Sequence, residues 1–161
     1  MDRLFTFIAI ALIFCAGNQT KVKAEIMDKE IQLVQDWDKT FPKSEKVNHE
    51  KVTFNTQYGL TLAADLYIPK NAEGKLPAIA VSGPFGAVKE QCSGLYAQTM
   101  AERGFVTIAF DPSFTGESSG EPRRTASPDI NTEDFLAAVD YLSMRNDVDA
   151  GRIAIIGICG W

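Results

Sequence analysis

The segment Gly157-Ile158-Cys159-Gly160-Trp161 sets a thiol between two glycines directly behind an apolar run. A sharp, strained turn at a strand end would project such a side chain from a sheet, which suits a nucleophile. A thiol in that role needs a general base to generate or hold the thiolate, and a carboxylate to orient the base. The chain has one histidine, His49, so a site built on two imidazoles, as most catalytic zinc sites are, is nearly excluded. Cys15, Cys92 and Cys159 are far apart and show no CxxC spacing, which removes a zinc knuckle and a thioredoxin-like pair. No metal or organic cofactor is implied.

The elements that must position these residues are legible in the hydrophobic pattern. Residues 26–38 carry Met27, Ile31 and Val34 at helical spacing, and Phe41-Pro42 ends that segment. Residues 51–56 and 60–68 read as two strands joined through Gln57-Tyr58-Gly59, the second with one face buried and the other half-wet. Ala78-Ile79-Ala80-Val81 is the continuous apolar run of a parallel strand covered on both faces. The turn Ser82-Gly83-Pro84-Phe85-Gly86 follows, then a helix through Cys92, Leu95, Tyr96, Thr99 and Met100 up to Gly104. Residues 105–110 form the next buried strand, and a loop rich in Gly, Ser and Pro runs from 111 to 128. Asn131 or Thr132 then caps a helix that shows Phe135, Val139 and Leu142 on one face. Residues 152–158 are the last buried strand. Such alternation gives an α/β fold with a mostly parallel sheet and right-handed crossovers, led by an antiparallel hairpin.

With the strand–turn context in place, the 157–161 segment resembles the G-x-S-x-G elbow of the α/β-hydrolases with cysteine for serine, similar to the dienelactone hydrolase branch. The resemblance covers roughly residues 52–161, the family's front half, up to the fifth strand. It implies Cys159 as nucleophile and an oxyanion hole from the backbone N–H groups of Phe85 and Gly160. The loop Asp111-Pro112-Ser113-Phe114-Thr115-Gly116-Glu117-Ser118 is similar to the structural loop that follows the family's fourth strand. It also implies covalent hydrolysis of ester or related acyl bonds in a small-molecule ester, lactone or peptide substrate. The acid and histidine of the triad follow the nucleophile in this family and are absent from the chain, and Trp161 stands where the common pattern has glycine. The expectation is therefore an N-terminal fragment of a hydrolase; an inactive fragment and a peptidase of the same fold are the alternatives.

Other candidate residues have plainer readings. Cys92 packs on a helix face or pairs with Cys159, His49 has a surface or packing role, Arg123 and Arg124 are solvated, and Asp65 and Asp111 are structural. With 16 Lys+Arg against 21 Asp+Glu, the chain lacks a basic stripe for nucleic acid. No GxGxxG or GxxxxGK[ST] occurs, which argues against a nucleotide binder. Residues 1–24 read as a secretory signal: an apolar run from 4 to 16, a polar stretch, then Val22-Lys23-Ala24. That run is shorter than the roughly 20 residues of a membrane span, so export without a stable membrane span is expected; Cys15 offers only a poor lipobox. Residues 25–50 are expected to be a helix and linker, and residues 51–161 the hydrolase domain.

Overall fold

The computed structural model describes residues 31–160. The expected signal segment, Cys15 and Trp161 lie outside that span. Five strands form one sheet: β1 (Val47–Asn55), β2 (Thr61–Pro69), β3 (Leu76–Ser82), β4 (Val106–Phe110) and β5 (Val148–Gly157). Helix α1 (Cys92–Ala101) joins β3 to β4, and α2 (Pro128–Ser143) joins β4 to β5. The spatial order is β1-β2-β4-β3-β5. β1 and β2 form the expected antiparallel hairpin, β2 runs antiparallel to β4, and β3 lies parallel to both β4 and β5. The α/β architecture read from the sequence is the one observed.

Strand alternation divides the core between the two faces of the sheet. Leu62, Ala64, Leu66, Ala78, Ala80, Ile108 and Phe110 pack with Phe135, Ala138 and Leu142 of α2. Tyr67, Ile79, Val81 and Ala109 point the other way, against Ala97 and Ala101 of α1 and Phe41. Helices on both faces explain why β3 and β4 are apolar throughout rather than alternating.

Several boundaries and environments differ from the sequence reading, among them the last strand, expected buried over 152–158 and observed over Val148–Gly157 with an exposed middle. The helix expected over 26–38 is irregular in its described part, 31–38. Its polar groups find distant partners instead: the Val34 N–H donates to Glu117 Oε1 at 2.7 Å, and Trp37 Nε1 donates to the Phe41 carbonyl at 2.9 Å. The expected linker up to residue 50 includes the start of β1, which places His49 inside a strand. The second helix begins earlier than Asn131, with Ser127 at its N-cap and Pro128 in its first turn, where proline's missing N–H costs nothing. β2 is buried on both faces from Leu62 to Tyr67, because α1 and the 31–46 segment cover the side expected to be half-wet.

β5 pairs with β3 alone and lies at the sheet edge among the described residues. Its middle is largely exposed, Ile155 by 58%, although its composition is that of a covered strand. Among the described residues no helix is long and apolar enough to cross a membrane.

Candidate active site

β5 delivers the chain to Cys159 at the end of the sheet where β3 also terminates. The Ile158 N–H donates to the Ser82 carbonyl at 3.2 Å, tying the turn after β5 to the last residue of β3. Cys159 has φ 70°, in the left-handed region that costs a non-glycine residue about 1–3 kcal/mol. Its side chain is exposed and its sulfur is a free thiol. A strained, exposed thiol directly after a strand is the local geometry expected of the elbow.

The turn after β3 comes to the same place. A Cβ added at Gly160 would meet the Phe85 ring, so the two segments approach each other closely here. Phe85 is 55% exposed, and it lines a cavity of about 510 Å³ with Gly86, Pro112, Phe114, Arg124 and Asn131. Cys159 is not part of the lining of that cavity. The structure thus brings Phe85, Cys159 and Gly160 to one end of the sheet.

His49 is engaged elsewhere. Its Nε2 lies 2.8 Å from Asp65 Oδ1, and its ring packs against Trp37 and Tyr67. Lys39 Nζ completes the group at 3.0 Å from Asp65 Oδ2. Burial works to raise the Asp65 carboxyl, but the His49 hydrogen bond and the Lys39 charge outweigh it and hold Asp65 below the usual carboxylate range. Cys92 is half-buried on α1, a free thiol with its sulfur near Gly83, so the disulfide alternative with Cys159 is not formed. Arg123, expected to be solvated, donates to the carbonyls of Gly116, Ser118 and Gly120 and closes the loop after β4.

Sequence reasoning missed the side chains that brace the two loops at the site. Lys89, on the segment between β3 and α1, has a fully buried side chain. Its ammonium lies 2.9 Å from Asp111 Oδ2, 2.6 Å from Glu117 Oε2 and 2.6 Å from Glu90 Oε1. Burial opposes the charged ammonium, yet the surrounding carboxylates, Asp111 first, hold its pKa above the usual lysine value. Asp111 also accepts the Lys89 N–H at 2.7 Å and the Glu117 N–H at 2.9 Å. One turn further on, Asp134 of α2 accepts both the N–H and the Oγ–H of Ser113. The sequence signal for this brace was the Asp111-to-Ser118 loop alone; nothing local marks Lys89, which lies 22 residues away.

Comparison with known proteins agrees with this geometry. Residues 59–159 match the family model for X-Pro dipeptidyl-peptidase (S15 family). The chain is 63% identical over 161 residues to the uncharacterized protein PA2218 of Pseudomonas aeruginosa, covering 96% of this chain and 43% of that protein. The crystal structure of PA2218 superposes with a TM-score of 0.81 over 83% of this chain and 42% of its own. The thiohydrolase aneE of Aspergillus aculeatus is 32% identical over 115 residues, 71% of this chain and 35% of that protein. The α/β-hydrolase GrgF of a Penicillium species shares the fold at a TM-score of 0.64 and 29% identity, over 70% of this chain and 38% of its own. The chain therefore spans less than half the length of the curated relatives it matches. The five-stranded sheet, the turn at Cys159 and the match over 59–159 together show that this chain belongs to the X-Pro dipeptidyl-peptidase (S15) family of α/β-hydrolases.

Proposed function

We propose that this chain carries the nucleophile and oxyanion donors of a hydrolase of ester or related acyl bonds. The observation that supports this most directly is Cys159 itself: exposed, at φ 70°, immediately after β5, beside a glycine packed against Phe85. In this reading the Cys159 thiolate attacks the acyl carbon and an S–C bond forms. The carbonyl oxygen becomes an oxyanion that takes hydrogen bonds from the Phe85 and Gly160 N–H groups. Collapse expels the alcohol, which takes up a proton, and leaves a thioester on Cys159 that water hydrolyses to the acid and free thiol. The base and its orienting carboxylate come from the part of the protein outside this span, in keeping with the greater length of the relatives. Among the described residues the one imidazole, His49, is engaged with Asp65.

A peptidase is the second reading, favoured by the family model over 59–159. Both are tested on the full-length protein with a p-nitrophenyl ester, an acyl thioester and an Xaa-Pro p-nitroanilide. Cys159→Ala is expected to abolish turnover, by at least a thousandfold, while leaving Tm within about 2 °C, and mass spectrometry of the wild type should show an acyl adduct on Cys159. Full turnover by Cys159→Ala would remove the thiol from the reaction. Preference for the anilide over both acyl esters would select the peptidase.

A further inference from the structure

The segment 83–91 carries the proposed oxyanion donor Phe85, and its own sequence gives it little rigidity. Gly83 and Gly86 lie within it, Gly86 at φ 78°, and its internal backbone bonds are short-range ones such as Ala87 N–H to the Pro84 carbonyl at 2.9 Å. It is held from outside at its front and its back, and the Glu90 carbonyl also accepts the Thr40 N–H at 3.0 Å. At the front, the Ser82 carbonyl accepts the Ile158 N–H from the elbow. At the back, Lys89 is gripped twice by Asp111, through its N–H to Oδ1 and its ammonium to Oδ2, at the buried end of β4. Asp111 and Glu117 are themselves fixed: Glu117 donates its N–H to Asp111 Oδ2 and accepts the Val34 N–H and the Lys51 ammonium. The Lys89 carbonyl lies close against Gly94 of α1, where an added Cβ would collide with it.

We propose that Lys89 is a positioning residue for acyl transfer: its buried ammonium, clamped by Asp111, Glu117 and Glu90, fixes the 83–91 segment so that the Phe85 N–H faces the oxyanion formed at Cys159. The proposal rests on the hydrolase reading above. The clamp has a direct physical rationale. A preorganised donor stabilises developing charge only if it does not have to reorient during the reaction, and misplacement by about 1 Å can cost on the order of a hundredfold in rate. A buried ammonium with three carboxylates at 2.6–2.9 Å is a stiff anchor, because any displacement strands a charge away from water. Phe85 lies four residues from Lys89, so slack at the anchor is transmitted to its N–H through one short turn.

The test compares Lys89→Met with wild type in the full-length protein by three readouts. Hydrogen exchange reports the mobility of the 83–91 amides. Stopped-flow acylation of Cys159 by p-nitrophenyl acetate requires the oxyanion hole, whereas alkylation of Cys159 by iodoacetamide is a direct displacement that does not. Lys89→Met is expected to speed exchange across 83–91 and to slow acylation at least tenfold while alkylation changes less than twofold. Equal slowing of both reactions, or unchanged acylation despite faster exchange, would overturn the positioning role. Unchanged exchange would overturn the clamp itself. Absence of Cys159 acylation in the wild type would instead sink the hydrolase reading, and exchange alone would then decide whether Lys89 holds the segment. Should Lys89→Met fail to fold, Glu117→Gln removes one carboxylate charge from the ammonium and is expected to show the same selective loss, at about threefold; no selective loss in that variant overturns the proposal.

Discussion

A methyl group at Gly116 would fall on the Asp111 carboxylate, and Gly116 has φ 53°, so two separate penalties meet at one position. Moving Asp111 aside would leave the Lys89 ammonium buried with its one fully buried carboxylate partner displaced, and breaking a buried pair costs about 3–5 kcal/mol. Gly116→Ala is therefore expected to lower unfolding free energy by about 3 kcal/mol or more. Gly74 is the matched control: φ 71°, with nothing near the position of an added Cβ. Gly74→Ala is expected to cost about 1 kcal/mol from backbone strain alone. Urea titrations of the two variants check the difference, and equal losses would show that the Asp111 contact adds nothing to the strain. At this scale the sequence was half legible. The glycines around Cys159 announced a tight turn, but no local pattern marked Lys89, because the contact to Glu117 that helps bury it joins residues 28 apart.

The 31–46 segment, whose first part was expected to be the end of a helix over 26–38, is where sequence reasoning failed, and the reason is physical. Apolar residues at helical spacing are ambiguous when the chain can exchange internal hydrogen bonds for distant ones, and this segment does so with Glu117, with the Glu90 carbonyl and with Gln98. Trp37, at the centre, meets Phe41 and His49 edge-on, while Lys39 and Lys43 approach its ring. Beneath it, Asp65 of β2 receives Lys39 and His49. A carboxyl held below its unfolded value contributes stability that is complete above the ordinary aspartate range and is lost as pH falls through the lowered folded value. The stability gap between wild type and Asp65→Asn should therefore be widest at neutral pH and narrow as the pH is taken below about 4. Urea unfolding at pH 7, 5, 4 and 3.5 measures it, and a gap that stays constant over that range would mean Asp65 does not titrate with folding. The regular elements were easier to read because α1, α2 and the strands take their hydrogen bonds locally or from a neighbouring strand, leaving burial to set the pattern.

At the scale of the molecule the sheet has two unlike edges. β1 ends it on one side with charged and polar residues outward, as an edge strand should, while β5 shows Ile153, Ile155 and Ile156 in a run suited to burial on both faces. That mismatch was visible in the sequence as a continuous apolar strand, and because the chain spans less than half the length of the relative it matches, we propose that another element covers β5 in a longer form. Ile155 discriminates. Where it is 58% exposed, as in this span, a lysine costs within about 0.5 kcal/mol. Where another element packs over it, the same change buries an unpaired ammonium in an apolar site and costs several times more. Ile155→Lys is therefore expected to destabilise the full-length protein by about 2–4 kcal/mol, with a corresponding fall in Tm, while substitution of the exposed Tyr58 by lysine on the β1–β2 turn stays near neutral. A neutral Ile155→Lys would mean that β5 remains a free edge in the whole protein, and the base for Cys159 would then have to be sought from an element that does not extend this sheet.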